Sequence, residues 1–513
     1  VSSSGGALPV AQVSGEGADY IQWSNGGTEI HWALGPTVFS AERSALFANV
    51  PVADGAKPAK FEPPKTGVSL SMTFDRDLPR GSVALVGARI VSMANAEGGV
   101  IDDGVILIER DRIKAIGKRG EVNVPAGTPT LDVKGKTIIP GLVDAHAHGP
   151  YGIDELTPQQ NWTDMVNLAM GVTTRHDPSS SAATVFPALE MERAGLIVGP
   201  RTFSTGEIIY GAKEPEVYAQ IDGLDDARAH VRRLKAQGAH SIKNYNQPRR
   251  EQRQQVVAAA LEVNMRSVAE GGSLFGLDMT LIADGNTTVE HNIPLSTFYD
   301  DVLQFFSKSK TGYTPTLVVT YGGPAGDPYW RAHTDVWRHP LLQKHEPPSI
   351  LNAANARRQI APEEDYVDDD NAREAHKLAK LGVPVSIGAH GQEPGIAAHW
   401  ELWSFVRGGM SPIEALAAGT INAARSLGYD RDVGSLEAGK LADLVILDAD
   451  PSADIRNSDK ISKVMIGGRL YDAATLNEEI TGTRKRKPYF WEQSAGSEAM
   501  SAQPGADFGH GDR

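Results

Sequence analysis

The chain has 513 residues, 41% of them hydrophobic and 22% charged, which gives room for two or three domains and excludes a disordered chain. No apolar run approaches the roughly 20 residues that a membrane span needs, and a net charge of −14 argues against nucleic acid or anionic lipid as the main partner. The absence of cysteine excludes disulfides, zinc–thiolate sites and cysteine nucleophiles.

Residues 1–80 are the least core-like. Within them, "YIQWSNGGTEIHWALG" reads as a hairpin turning at Asn25-Gly26-Gly27, followed by a loose linker rich in Pro, Lys and Ala. The hairpin resembles the terminal strands of a TolB-type β-propeller. With the absence of a start signal, that likeness points to an exported protein, periplasmic or extracellular, rather than a cytoplasmic one. From Val83, "VALVGARIVSM" and "GVILIERDRIKAIG" predict a small antiparallel sheet, and a second set of such strands falls at "DLVILDAD" and "KVMIGGRLYD". Neither set has enough strands to stand alone, so residues 81–140 plus 433–475 are expected to form one β-sandwich.

The inserted stretch, residues 141–432, alternates strand and helix. Strand candidates end near "IIPGLVDA", "GVTTR", "PRTFST", "HSIKNY", "MRSVAE", "TTVEHN", "YTPTLVV" and "PVSIGA". Between them lie helices such as "DDARAHVRRLKAQG" and "DNAREAHKLAKLG", closed by glycine. After the eighth strand, Ser411 is an N-cap, Pro412 the first helical residue and Glu414 the partner in a capping box. Eight such units predict a (β/α)₈ TIM barrel. A doubly wound sheet competes, but no glycine-rich phosphate loop follows the first strand. Residues 321–348 form a long aromatic insertion anchored by Trp330 and Trp337, which reads as a lid or an oligomer contact. Residues 476–513 read as a tail, disordered over its last twenty or so residues, whose basic run "RKRKPYFW" is either solvated or docked on an acidic surface of the same chain or a neighbour.

The strongest chemical signal is "PGLVDAHAHGP". His146 and His148 are two apart at the end of a buried strand, so alternation sends both imidazoles to one point at the barrel mouth. Two converging imidazoles suit a borderline dication such as zinc. His176 and Asp177 end the second strand and either position substrate, orient a ligand histidine or close a turn before Pro178. Tyr245, Arg249 and Tyr321 sit near strand ends and are candidates to bind a substrate carboxylate or carbonyl. His399 packs beside Trp400 and Trp403, and His230, His240 and His376 have structural or surface roles.

Taken in order, "GLVDAHAH", "GVTT", "MSPIEALAAGTINAARSLG" and "VGSLEAGKLADLVILDADP" resemble the amidohydrolase superfamily over about residues 83–475. The likeness is greatest to its imidazolonepropionase-like and prolidase-like members. The resemblance implies a metal-bearing barrel with an appended β-sandwich, in a chain that packs as a homo-oligomer. It places Lys243, in "SIKNY", as a lysine carboxylated on its amine that bridges two divalent ions, zinc or manganese. The alternative is a buried lysine paired with Glu270 or Glu290. Glu270 stands where the family has a strand-five histidine ligand, and His291 matches the strand-six ligand. Its neighbour Glu290 is structural or supports a ligand from behind. His390, in "SIGAHGQ", stands where the family has an aspartate that is both ligand and general base. The implied metal set is therefore His146, His148, Lys243, Glu270 and His291, with His390 catalytic. The implied reaction is hydrolysis of a C–N bond in an amide, cyclic amide or dipeptide-like substrate, by a metal-bridged hydroxide on a polarised carbonyl. An ester or lactone hydrolase, a deaminase and a non-catalytic scaffold are the competing readings.

Overall fold

The computed structural model describes residues 10–15, 17–47, 61–152, 156–211, 218–245, 249–272 and 274–493. At the N-terminus, the strands Asp19–Ser24, Glu29–Leu34, Thr37–Glu42 and Val68–Ser69 form one antiparallel sheet in sequence order. The hairpin turns at Asn25, Gly26 and Gly27, all with positive φ, and the Gly27 N–H donates to the Ser24 carbonyl at 2.8 Å. Ile30 and Trp32 bury the inner face. Part of the Pro/Lys/Ala linker, residues 48–60, lies outside the described residues.

The two flanking sets of strands share one eight-stranded sheet. Thr137–Pro140 is the seam: it runs parallel to Ser82–Val91 on one side and antiparallel to Leu444–Leu447 on the other. The sheet curls, so that Leu85, Ile90 and Ile106 from one wing pack with Leu444, Ile446 and Met465 from the other in one apolar cluster. Backbone hydrogen bonds between Ile113 and both Gly439 and Lys440 draw its ends together.

Between the flanks the fold is TIM-barrel-like. Parallel strands run Leu142–Asp144, Val172–Asp177 and Arg201–Ser204 in one ladder. Ser241–Asn244, Arg266–Glu270, Thr288–Glu290 and Gly312–Thr314 run in another. The eighth predicted strand is short of full ladder pairing. It is held instead by single parallel bridges, Val385 to Tyr313 and His390 to Ala147. Backbone bonds fill in between them: Ser386 N–H to Tyr313 O at 2.9 Å, Ala145 N–H to Ile387 O at 3.1 Å and His390 N–H to His146 O at 2.8 Å. Strands buried on both faces explain the near-continuous apolar runs in the sequence.

The expected helices form. Leu224–Gln237 ends at Gly238 in the left-handed region, and Pro412–Ala418 starts from Ser411 with a complete capping box. The helix Ile396–Arg407 is buried along almost its whole length. The aromatic insertion departs from the expected loop: it folds into helices Gly326–His333, Pro340–His345 and Pro348–Ala356. Trp330 is drawn into the core, its indole donating to Ser404 Oγ at 2.9 Å. Trp337 is only half-buried, under the Arg358 guanidinium.

The basic segment after residue 483 docks on the same chain and is not a solvated tail. Arg484 pairs with Asp77 at 2.9 Å, and Tyr489 is buried against His345. The low-complexity end, residues 494–513, lies outside the described residues. Among the described residues no helix is long and apolar enough to cross a membrane.

His345 and His399 are buried in matching arrangements. Each donates Nε2–H to a carbonyl, Ala473 O at 2.8 Å and Met170 O at 2.9 Å. Each accepts a hydroxyl at Nδ1, from Tyr489 and Ser458. Burial depresses both to about 4, against the raising pull of their carbonyl partners. The unfolded chain therefore binds protons between about pH 6.5 and 4 that the folded chain does not, and stability falls as pH drops through that window. Acidification from pH 7 to 5 is expected to cost about 2 kcal/mol per imidazole, read as a fall in urea midpoint. His399→Gln, if it folds, should flatten that dependence.

Candidate metal centre

At the C-terminal ends of the parallel strands four imidazoles meet. His146 follows the first strand, His291 the sixth, and His390 stands at the eighth. The ligand nitrogens of these three lie within 4.8 Å of one another. His148 completes the group, its ring centroid 5.0 Å from both His146 and His390. His291 and His390 have positive φ, a backbone state that costs a non-glycine residue roughly 1–3 kcal/mol and persists only where surroundings enforce it.

Buried carboxylates orient two of the rings. His146 Nδ1 lies 3.0 Å from Glu290 Oε2, and His148 Nδ1 lies 3.1 Å from Asp177 Oδ1. With each Nδ1–H donated to a carboxylate, each Nε2 presents a lone pair. These two Nε2 atoms face each other at 3.1 Å. Two lone pairs at that distance repel, but two nitrogens bound to one tetrahedral zinc at about 2.0–2.1 Å stand roughly 3.4 Å apart.

The rest of the cluster has the same character. Both ring nitrogens of His291 are buried without a hydrogen bond. Burial, reinforced by the Lys243 charge, holds His146 well below the usual histidine value. Burial likewise lowers His291 to about 4 against the pull of Glu270. Neutral imidazoles are what a metal requires, and the donor set fits a divalent cation.

Lys243 is fully buried at the end of the fourth strand, its ammonium paired with Glu270. Burial alone would raise Glu270, but Lys243 and His291 override it and bring its carboxyl down to about 2. The other oxygen of Glu270 stands 3.8 Å from His291 Nε2. Glu290, buried with less compensation, is pushed up to about 7.

The candidate substrate residues separate. Tyr321 lies 5.7 Å, ring to ring, from His291, and the Tyr245 ring is 5.8 Å from Lys243 Nζ, so both border the cluster. His176 does not serve as predicted. It is fully buried, with Nδ1 on Ala145 O at 3.2 Å and Nε2 on Ser241 Oγ at 2.7 Å, so both nitrogens are used inside the protein. Arg249 is exposed at the start of the helix Arg250–Glu262. Asp177 Oδ1 stands behind the His148 ring and also accepts the Ser179 amide at 2.9 Å, closing the turn over Pro178.

Two functional carboxyls escaped the sequence reading. Asp144 accepts the amides of His146 and Ala389 at 3.2 and 3.0 Å. Glu401 accepts those of Val318 and Gly388 at 2.8 and 3.2 Å. An acidic residue inside the apolar helical run "IAAHWELW" was the available signal for the second.

A cavity of about 370 Å³ lies at the opposite ends of the strands, lined by Arg112, Arg201, Phe203, Tyr429 and Arg484 among others. Those three arginines are paired with Asp432, Asp443 and Asp77.

A profile of the Amidohydrolase family matches residues 352–471. An imidazolonepropionase of Geobacillus kaustophilus (strain HTA426) is 25% identical over 387 residues, covering 70% of this chain and 87% of that protein. A 5-methylthioadenosine/S-adenosylhomocysteine deaminase of Moorella thermoacetica (strain ATCC 39073 / JCM 9320) is 24% identical over 387 residues, covering 68% and 82%. The crystal structure of a Xaa-Pro dipeptidase with bound methionine in the active site superposes with a TM-score of 0.59 at 19% identity, covering 76% of this chain and all of that one. Residues 352–471 thus match the amidohydrolase family, and the likeness along the chain to enzymes of that kind supports a hydrolytic enzyme.

Asp177→Asn places an amide against His148 Nδ1 and removes the anion that orients the ring. Zinc affinity, measured by calorimetry, is expected to fall by about 10–100-fold while the cluster otherwise remains folded.

Proposed function

We propose that this protein is a metal-dependent hydrolase that cleaves the C–N bond of an amide, cyclic amide or dipeptide-like substrate at the His146–His148–His291–His390 cluster. The observation that carries this reading is the pair of Nε2 atoms that face each other 3.1 Å apart, each on a ring whose Nδ1 meets a buried carboxyl oxygen. The names of the relatives, an imidazolonepropionase and a dipeptidase, support the substrate class.

The centre holds two divalent ions, zinc or manganese, in our reading. His146 and His148 would hold one ion and Glu270 and His291 the other, with Lys243, carboxylated on its amine, as a further anionic ligand. The full burial of Lys243 at the strand end supports this, because beside dications an ammonium would be disfavoured whereas a carbamate would be an anionic ligand; its pairing with Glu270 is what the alternative, an unmodified lysine, predicts. The eight strands form a closed (β/α)₈ barrel in this reading, and the curled sheet is its sandwich.

Bound divalent metal supplies Lewis acidity, which acidifies water and polarises the scissile carbonyl. The chain supplies orientation and proton transfer. Glu290 and Asp177 hold the rings of His146 and His148. His390 Nδ1 lies 2.9 Å from Gln392 Oε1, and with that proton donated to the amide, Nε2 is the basic nitrogen toward the cluster. His390 takes a proton from the attacking water and returns it to the leaving nitrogen. Tyr245 and Tyr321 border the substrate.

Metal analysis of protein expressed with zinc or manganese, with intact mass measured alongside, tests the centre. Two metals per chain and the mass of one carbon dioxide on Lys243 are expected. One metal with unmodified Lys243 contradicts the bridged centre, and none contradicts the whole reading. On a panel of N-acyl amino acids, dipeptides and cyclic amides, His390→Ala is expected to lower kcat by about 10²–10⁴-fold with bound metal unchanged.

A further inference from the structure

Every backbone amide from Gly388 to His390 is held from outside its own strand. Gly388 N–H donates to Glu401 Oε2 at 3.2 Å, and Ala389 N–H donates to Asp144 Oδ1 at 3.0 Å. His390 N–H donates to His146 O at 2.8 Å, and His390 O in turn accepts His148 N–H at 2.7 Å. The space is equally tight: a Cβ at Gly388 would lie 2.8 Å from Thr314 Cγ2 and 2.9 Å from His146 Cβ. At Gly391, with φ of 120°, it would lie 2.4 Å from His148 O.

Glu401 is the member of this network that needs the most explanation. It sits in the middle of the buried helix Ile396–Arg407 with no exposure, and among the described residues no cation pairs with it. Its hydrogen bonds are the amide of Gly388 and, through Oε1, the amide of Val318 at 2.8 Å. Val318 lies just after the seventh strand, in a turn that begins at Thr316 with positive φ. One carboxyl thus ties the exits of the seventh and eighth strands to a single helix. A buried carboxyl without a countercharge is costly to keep, and an apolar residue of the same size would fill that space at less cost.

We propose that Glu401 is a positioning residue: it fixes the Gly388–His390 backbone, and through it the place of the His390 imidazole over His146. The inference rests on the proposed role of His390. The His390 ring stacks on His146 with centroids 5.2 Å apart and planes 21° from parallel, and its backbone is held at φ of 62°. This is the strand position where a carboxylate ligand would need only a short side chain. An imidazole there reaches further, so its direction depends more heavily on the backbone that carries it.

Glu401→Gln separates this from a merely structural role, because its amide group can accept only one of the two N–H donors and turns a donor toward the other. Glu401→Asp keeps the carboxyl group, withdraws it from both amides and serves if the glutamine variant does not fold. Ser404→Ala on the same helix is the control. It removes buried hydrogen bonds to Trp330 and Asp368 without touching the eighth strand.

In metal-free crystals the His390 ring is expected to leave its stack on His146 in the Glu401 variant and to keep it in Ser404→Ala. On the fastest substrate of the panel, kcat is expected to fall about 10²-fold and the acid limb of its pH profile to move, with bound metal unchanged. Ser404→Ala should leave both intact. A Glu401 variant with His390 in place and an unchanged pH profile overturns the proposal, as does an equal effect of Ser404→Ala. If the wild-type protein binds no metal and hydrolyses nothing, the proposed function falls and the metal-free crystals alone decide the role of Glu401.

Discussion

Two imidazole nitrogens held 3.1 Å apart are the constraint around which this protein is arranged. Four rings and one ammonium are crowded with them into a largely buried region. The fold answers with buried carboxylates. Glu270 meets Lys243, Glu290 and Asp177 meet the two histidines of the first strand, and Asp144 meets the amides around them. A dication at the meeting point would be coordinated by both nitrogens and would favour the ionised form of the carboxylates behind the rings.

Such a centre requires that residues far apart in sequence share one end of the parallel strands. His146, Lys243, Glu270, His291 and His390 each lie at or just past a strand end. The ladders fix the strands against one another, and the buried helices behind them set their height. The flanking sheet contributes differently. Its seam strand, Thr137–Pro140, runs directly into the strand that ends before His146, so the curled sheet and the metal-facing strand move as one piece of chain.

Much of this was legible in the sequence because it is local. Period-two spacing gave the convergence of His146 and His148, and capping residues gave the helix at Pro412. Lys243, Glu270, His291 and His390 came from the resemblance to the amidohydrolase superfamily, carried over strand by strand. What the sequence did not carry is set by long-range contacts. His176 looks like a mouth residue by position, yet its ring turns inward to Ala145 and Ser241. The insertion after the seventh strand has the composition of a loop, but Trp330 finds Ser404 on a distant helix and the segment folds into the core. Glu401 reads as one polar residue in an apolar helix until the structure places two orphan amides against it.

The central claim is that the opposed Nε2 atoms of His146 and His148 exist to share a metal. Anomalous diffraction above and below the zinc absorption edge, on crystals grown with zinc, tests it most directly. The account predicts a peak between the two rings, about 2.0–2.1 Å from each Nε2, with Glu290 and Asp177 still behind them. An empty position there in zinc-grown crystals, with both Nε2 atoms still facing each other, would contradict it.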